Sequence, residues 1–283
     1  MIASEPAAAE EPRPAGHGEL TLRVASAVVL VPLALLTAYL GGAWFIALWA
    51  LAAAAVSWEW TRLVGAWRLA IVPCLIALVA AGWFFAVGRP GPAIAALAAG
   101  AVAAGAVASA GRRLWTAGGV AYAGAMLAAP ALLRSDPAYG LAAIIFLFAV
   151  VWMTDIAAYF VGKLVGGPKL WPSVSPKKTW SGAIGGLLAG FAAGLVVAAM
   201  TGLDGAVALG IVALVLSTTA QVGDFLESAL KRRFGAKDAS RLIPGHGGLM
   251  DRLDGFWTAA VAGTMLGLVR GGVHAPAQGL LVW

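Results

Sequence analysis

Charged residues are concentrated in the stretch at residues 221–255, QVGDFLESALKRRFGAKDASRLIPGHGGLMDRLDG. This stretch connects two apolar segments, yet it carries six of the 19 basic residues and five of the 13 acidic residues. Only 11% of the 283 residues are charged, against about 25% in an average soluble protein. We therefore expect the functional groups to be concentrated here, between two segments of a different character.

The remainder of the chain has the composition of a membrane protein. Hydrophobic residues make up 61% of it, and apolar runs long enough to span a bilayer as helices recur along its length. We expect an all-α, polytopic helical membrane protein with about nine transmembrane helices. The apolar segments lie near residues 20–41, 43–64, 68–88, 91–109, 114–133, 139–163, 180–201, 205–230 and 254–272.

The same pattern predicts the organisation of the chain. Residues 1–19 are rich in Ala, Pro and Glu, which predicts a disordered tail that does not resemble a secretory signal. N-terminal transmembrane helices over 20–135 would precede a C-terminal catalytic region over 136–275. Polar loops at 164–179 and 231–253 would emerge from the second region.

The basic residues predict the orientation in the membrane. If the N-terminus is cytoplasmic, 16 of the 19 cations fall on the cytoplasmic side of nine spans, as the positive-inside rule requires. Both polar loops then share that side. The positive net charge is explained by topology, so we expect no nucleic-acid partner. Abundant Ala, and Lys that is scarce beside Arg, are typical of a GC-rich bacterial genome. We expect the chain in the bacterial cytoplasmic (inner) membrane.

Acidic residues lie within or beside several apolar segments. An ionised carboxylate at mid-span costs roughly 2.5–3.5 kcal/mol on insertion scales, so each needs a partner. Asp155 precedes Tyr159 by four residues, which places both side chains on one helix face. Glu59 is near a cytoplasmic helix end and could pair with Arg62. Polar contacts between packed helices are an alternative explanation for such residues.

A later helix carries a polar ridge. Gln221, Asp224 and Ser228 follow a spacing of three and then four residues, with Glu227 beside them. This spacing places the polar side chains along one face. The ridge runs directly into the cationic loop, which favours a functional role over simple helix packing.

The loop 164–179 contains three prolines, which forbid a regular helix. Lys177, Lys178 and Thr179 stand just before a helix expected to begin near Ser181. Cations, hydroxyls and free amides at a helix N-terminus form a reasonable phosphate site. Paired lysines before a span are also a common topology signal, and both explanations stay open.

The loop 231–253 carries the stronger signal, with five cations followed by a Pro- and Gly-rich turn. If Asp251 folds back near Asp224, the two carboxylates suit Mg²⁺, which takes its remaining ligands from phosphates and water. Cations and a metal together suit a triphosphate that releases pyrophosphate. His246 could act as a general acid, bind a phosphate or brace the loop. Three His and one Cys give poor support for a Zn²⁺ site.

The motif in this loop resembles that of the phosphatidate cytidylyltransferase (CDP-diacylglycerol synthase) family, without a break over 27 residues. Ser181 departs from the family, which usually has Glu there. The upstream polar ridge, Asp155 and the lysine pair also resemble the family, whereas the first half does so only at Trp58-Glu59-Trp60. The motif stands here as Ser228, Lys231-Arg232, Lys237-Asp238, Pro244-Gly245-His246-Gly247-Gly248 and Asp251-Arg252-Leu253-Asp254.

The resemblance implies a reaction in which phosphatidic acid attacks the α-phosphorus of CTP, giving CDP-diacylglycerol and pyrophosphate. It implies Mg²⁺ held by Asp224 and Asp251, and does not decide whether a second cation also binds. We expect Asp254 either as a further ligand or as a residue that supports the ligands. The resemblance also implies a homodimer whose polar cavity opens to the cytosol and the bilayer.

On the residues and the resemblance together, we expect catalytic roles for Asp224, Lys237, His246, Asp251 and Arg252. Residues expected to bind the substrates are Asp155, Tyr159, Ser175, Lys177, Lys178, Thr179, Glu227, Ser228, Lys231, Arg232, Asp238, Gly247 and Gly248.

Three alternatives remain at this stage. A transporter of an anionic solute would also carry acidic residues and helix breaks, but its site should lie near the midplane. A related nucleotide-using enzyme, such as a prenol kinase or an archaeal-type ether-lipid cytidylyltransferase, would share the headgroup chemistry. A non-catalytic paralogue is disfavoured by the complete set of acidic and basic residues.

Overall fold

The computed structural model describes residues 17–66, 68–240, 242 and 247–283. Two short strands, β1 (Lys169–Trp171) and β2 (Ser175–Thr179), pair as an antiparallel hairpin, and 3₁₀ turns at Arg68–Ala70 and Ala110–Arg112 precede α3 and α5. The helices are α1 (His17–Leu40), α2 (Gly42–Leu63), α3 (Ile71–Ala86), α4 (Pro90–Val107), α5 (Arg113–Arg134), α6 (Gly140–Leu164), α7 (Trp180–Met200), α8 (Ala206–Arg233), α9 (Met250–Gly271) and α10 (Pro276–Leu281).

The chain is an all-α, polytopic membrane protein, which confirms the predicted fold class. Seven helices of the described part, α2 to α8, are long and apolar enough to cross a membrane. The expected count of nine is not confirmed. In α1, the apolar part Val28–Leu40 is shorter than a full membrane span. α9 opens with three charged residues, which lower its mean hydropathy. Residues 1–16 of the predicted tail lie outside the described residues, and α1 already begins at His17.

Aromatic side chains connect the N-terminal helices to α9. Trp49 of α2 stacks on Phe256 of α9 with ring centroids 4.8 Å apart. Trp60 of α2 lies 5.1 Å from Tyr122 of α5, and Tyr122 stacks on Trp257 of α9 at 4.3 Å. Such offset and stacked pairs add to the free energy of apolar burial. Helices from the first half of the chain therefore support the start of α9.

Glycines allow α7 to approach α6 closely. Gly182, Gly186, Gly190 and Gly194 are all buried and recur every fourth residue, so they share one face of α7. A Cβ at Gly186 would lie only 2.8 Å from the carbonyl oxygen of Thr154 on α6. Small residues of this kind let helix backbones pack together in membranes. The close packing sets α6 and α7 side by side where they meet the hairpin.

The polar loop between α6 and α7, where prolines forbid a regular helix, contains the hairpin. Pro176 is tolerated in β2 because a two-stranded sheet leaves one edge of each strand unpaired. Trp171 of β1 packs against Phe225 of α8 with ring centroids 6.1 Å apart. The hydroxyl of Thr179 accepts a hydrogen bond from the amide of Gly182 (3.1 Å) and caps α7. The hairpin is thus fixed to α7 at one end and lies against α8.

α8 continues one turn beyond the expected end of its apolar segment. Its last turn consists of Lys231, Arg232 and Arg233, where cations interact favourably with the helix dipole. Gly235 follows with a φ of +70°, the left-handed conformation that commonly ends a helix. The basic residues are consequently held on a helix, in defined positions, before the loop begins.

Candidate active site

One cavity collects most of the predicted site residues. It has a volume of about 750 Å³ and lies where α6, the hairpin and the start of α7 meet the second half of α8 and the start of α9. Its lining contains six basic and five acidic side chains in the described part of the chain. They are Lys163, Lys169, Lys177, Lys178, Lys231, Arg252, Asp155, Asp224, Asp238, Asp251 and Asp254.

Asp224 is held across the cavity by the hairpin. It forms an ion pair with Lys178 of β2, and the hydroxyl of Ser228 lies 3.4 Å from its Oδ1. The Lys178 ammonium also lies 4.2 Å from the ring centroid of Phe225, a favourable cation–π arrangement. The ion pair therefore joins the predicted polar loop 164–179 to the second half of α8.

Lys231 bridges two acidic residues. Its ammonium group donates to Oε1 of Glu227 one turn earlier (3.0 Å) and to Asp251 at the start of α9. The side chains of Lys231, Glu227 and Asp251 are only 12%, 1% and 9% exposed, respectively. Buried charges of this kind are stable only when they are paired. Lys231 thus ties the end of α8 to the start of α9.

Both carboxylate oxygens of Asp251 have partners. Oδ1 contacts Lys231, and Oδ2 accepts from the amides of Gly248 (2.8 Å) and Ala239 (3.0 Å). Asp251 lies outside the seven candidate spans. Burial alone would raise the pKa of its carboxyl group, but Lys231 and the two amides outweigh that effect and hold the pKa below its ordinary value. Asp251 is therefore an ionised, oriented carboxylate at neutral pH.

The structure does not bear out the suggested pairing of Glu59 with Arg62. The Arg62 guanidinium lies over the ring of Trp58, 4.9 Å from its centroid. The Glu59 carboxylate instead accepts hydrogen bonds from Ser240, Leu249 and Met250, in the loop before α9 and at its start. Neutral amides and a hydroxyl take the place of the expected cation.

Several predicted site residues lie outside the cavity lining. Lys237 lines a neighbouring cavity of about 680 Å³ together with Arg62 and Trp58, and Asp238 borders both cavities. His246 lies outside the described residues, as do Arg241 and residues 243–245. The other predicted residues that do not line the main cavity are Ser175, Glu227, Ser228, Arg232, Gly247 and Gly248.

The remaining predicted residues do line the cavity, together with some that were not selected. Asp155 and Tyr159 share the cavity face of α6, as their spacing predicted. Lys163 follows on the same face one turn later, and its ammonium lies 5.8 Å from the Tyr159 ring centroid. The four-residue spacing could have identified Lys163, which was interpreted as a topology signal. Lys169 was overlooked for the same reason.

The cavity contains the oxygen donors that a magnesium ion prefers. In the described part of the chain, no three His, Cys, Asp or Glu side chains converge closely enough to hold a metal by themselves. Mg²⁺, however, is usually bound by one or two carboxylates and completes its shell with water and substrate phosphates. Asp224, Asp251 and Asp254 line the same cavity and fit this donor set.

Ser181, where the motif departs from the resemblance, has a local structural role. Its hydroxyl donates to the carbonyl oxygen of Gly166 and lies 3.0 Å from the hydroxyl of Thr179. The hydrogen bond to Gly166 therefore joins the segment before the hairpin to the start of α7.

The chain is similar in sequence to known proteins. A model of the cytidylyltransferase family matches residues 21–269. A phosphatidate cytidylyltransferase of Brucella suis biovar 1 (strain 1330) is 52% identical over 157 residues, which cover 56% of this chain and 58% of the relative. One from Staphylococcus haemolyticus (strain JCSC1435) is 45% identical over 124 residues, covering 44% and 46%. The chain thus spans about half the length of the relatives it matches. Because the family model covers most of its length, the chain belongs to the cytidylyltransferase family.

Proposed function

We propose that this protein is a phosphatidate cytidylyltransferase. A phosphate oxygen of phosphatidic acid attacks the α-phosphorus of CTP, a new P–O bond forms, and the bond to the β-phosphate breaks to release pyrophosphate and leave CDP-diacylglycerol. One observation carries this proposal: a single cavity in which basic residues of the hairpin face acidic residues of α8 and α9. The names of the relatives support the choice of substrates.

The position of the cavity favours an enzyme over a transporter. Its lining comes from the last part of α6, the first residues of α7 and α9, and the second half of α8, so it opens at one end of the helices. A transporter site should instead lie near the midplane with access from both faces. A volume of about 750 Å³ falls within the range of roughly 300–1,000 Å³ typical of ligand sites.

The charges assign different tasks to the lysines. Lys178 and Lys231 are committed to carboxylates. Within the described part of the chain, no carboxylate forms an ion pair with Lys163, Lys169 or Lys177, although all three line the cavity. These three lysines are placed to bind the phosphates of CTP and phosphatidic acid, because anionic groups that must approach each other need positive charge around them.

The acidic residues support a Mg²⁺ requirement. The five acidic side chains of the lining offset five of its six basic ones, so the cavity by itself supplies little net positive charge for two phosphate-bearing substrates, and a further cation would add to it. Asp224 and Asp251 would hold the ion, with Asp254 as a third donor. When bound, Mg²⁺ would neutralise charge on the triphosphate and on the pyrophosphate leaving group. Lys178 and Lys231 orient Asp224 and Asp251 through their ion pairs.

The proposal also covers the location of the protein in the cell and its oligomeric state. We place the protein in a bacterial cytoplasmic membrane with the cavity and the N-terminus facing the cytoplasm, where CTP is available. The distribution of 16 of the 19 cations supports this orientation. Assembly as a homodimer is carried over from the family resemblance.

The direct test is to incubate purified protein with phosphatidic acid, Mg²⁺ and CTP labelled in the cytosine ring. We expect the label in a lipid that co-migrates with CDP-diacylglycerol, and no labelled lipid when EDTA is added. Asp251→Asn is a matched inactive control. Folded wild-type protein that leaves all label in the aqueous phase would overturn the proposal, and labelling of an alternative acceptor lipid instead would redirect it to another lipid substrate.

A further inference from the structure

Glu59 is a fully buried acidic residue of α2, and its carboxylate accepts hydrogen bonds from the backbone where α9 starts. Its Oε1 accepts from the amide of Leu249 (2.8 Å) and from the hydroxyl of Ser240 (2.5 Å), and its Oε2 accepts from the amide of Met250 (2.7 Å). These donors lie 181 to 191 positions further along the chain. One side chain from the first half therefore contacts both Ser240 and the backbone at the start of α9.

A carboxylate at this place has a clear physical effect. The first amides of a helix have no partner within the helix, and negative charge beside them is favoured by the helix dipole. α9 begins at Met250, one turn before its apolar segment. That extra turn contains Asp251 and Arg252, which both line the cavity. By binding the amides, Glu59 keeps this charged turn helical.

The backbone at Gly248 couples the position of Glu59 to that of Asp251. The amide of Gly248 donates to Oδ2 of Asp251. A Cβ at Gly248 would lie 2.8 Å from Oε1 of Glu59 and 2.9 Å from Oδ2 of Asp251. The glycine is thus enclosed between the two carboxylates, and a displacement of Glu59 moves the backbone that holds Asp251.

We propose that Glu59 is a positioning residue for cytidylyl transfer: its carboxylate fixes the start of α9 and so directs Asp251 into the cavity. The inference rests on the proposed function, since it assigns Glu59 a part in that reaction. Glu59 does not line the cavity, so it acts through the loop rather than on the substrates.

The test is the near-isosteric variant Glu59→Gln, whose amide group cannot accept the hydrogen bonds that one carboxylate oxygen now accepts. Displacing a reacting group by about 1 Å can cost about 10²-fold in rate, so we expect kcat to fall by about that factor. The phosphate-binding lysines are not attached to Glu59, so the KM for CTP should change less than about threefold. Glu59→Asp keeps the charge and should fall between Glu59→Gln and wild type.

Ser57→Ala is the matched control. Ser57 lies two residues before Glu59 in α2 and is buried, and its hydroxyl has no hydrogen-bond partner among the described residues. This variant should keep the wild-type kcat. Hydrogen–deuterium exchange gives a readout that is independent of turnover: amides of residues 247–251 should exchange faster in Glu59→Gln than in Ser57→Ala, while α6 stays unchanged.

The outcomes separate this inference from the proposed function. If wild type transfers cytidylyl groups but Glu59→Gln matches Ser57→Ala in kcat and exchange, the positioning role is wrong. If wild type transfers nothing, the proposed function fails, and unchanged exchange at residues 247–251 would overturn the structural role as well. Should Glu59→Gln fail to fold, Ser240→Ala removes one donor only and should lower kcat by about 10-fold; unchanged kcat there would overturn the inference.

Discussion

Replacing Lys231 by Met tests the ion pairs that join α8 to α9. The substitution removes the charge and keeps much of the side-chain volume, so Glu227 and Asp251 remain buried without their shared cation. Oε2 of Glu227 has no hydrogen-bond partner among the described residues, so Lys231 is the main polar partner of that carboxyl group. Removing one partner of a buried pair typically costs about 3–5 kcal/mol, and we expect a loss of that size in the free energy of unfolding.

The assay is reversible SDS unfolding of the purified protein in mixed micelles. Lys163→Met is the matched control, because Lys163 lines the same cavity but forms no ion pair with a carboxylate in the described part of the chain. It should change the free energy of unfolding by less than about 1 kcal/mol. Lys231→Met combined with Glu227→Gln should recover part of the loss. A Lys231→Met protein as stable as the control would refute the reasoning.

Three further predictions concern catalysis and topology. Asp224→Asn and Asp251→Asn should each abolish most cytidylyl transfer, and the double variant should be hardly worse, as expected for residues that act as a unit; additive losses would contradict a shared metal. Lys177→Ala should raise the KM for CTP about 10-fold through loss of a charged contact, and an unchanged KM would remove Lys177 from the phosphate site. In a cysteine-free background, cysteines at Ser173 and Gln278, both exposed, should be labelled from opposite sides of the membrane, and labelling from one side would contradict nine spans.

The sequence alone located the long helices well. The apolar segments match α1 to α9 in order and position, because a bilayer requires about 20 apolar residues per helix. The main displacement is the start of α9, expected near residue 254 and found at Met250. Charged residues fill that turn, and it is helical because Glu59 and Asp251 accept its amides and those of the loop before it. Hydropathy does not record such contacts.

Other features depend on contacts that no local pattern encodes. The pair Glu227–Lys231 could be foreseen from its four-residue spacing, whereas the contact of Lys231 with Asp251 depends on how α9 folds back. The pairing of Lys178 with Asp224 depends on the hairpin, where the prolines predicted only that a regular helix is absent. α10 went unpredicted because its six residues are too few to show helical periodicity.

The physical patterns in the sequence selected only part of the cavity lining. Residue types and spacing selected Asp155, Asp224 and Asp251, which all line the cavity. They did not select Lys163 and Lys169, since cations near helix ends have an equally good explanation in topology. The role of Glu59 was also missed, because its partners lie at the other end of the chain.

The central claim is that the cavity transfers a cytidylyl group to a lipid phosphate, and the position of the label in CTP tests it most directly. Purified protein in phosphatidic acid micelles with Mg²⁺ is given CTP labelled at either the α- or the γ-phosphorus. The account predicts that α-label enters the lipid while γ-label appears only in pyrophosphate, in equal amounts. Transfer of γ-label to the lipid would identify a kinase, and absence of both labels from the lipid would contradict the account.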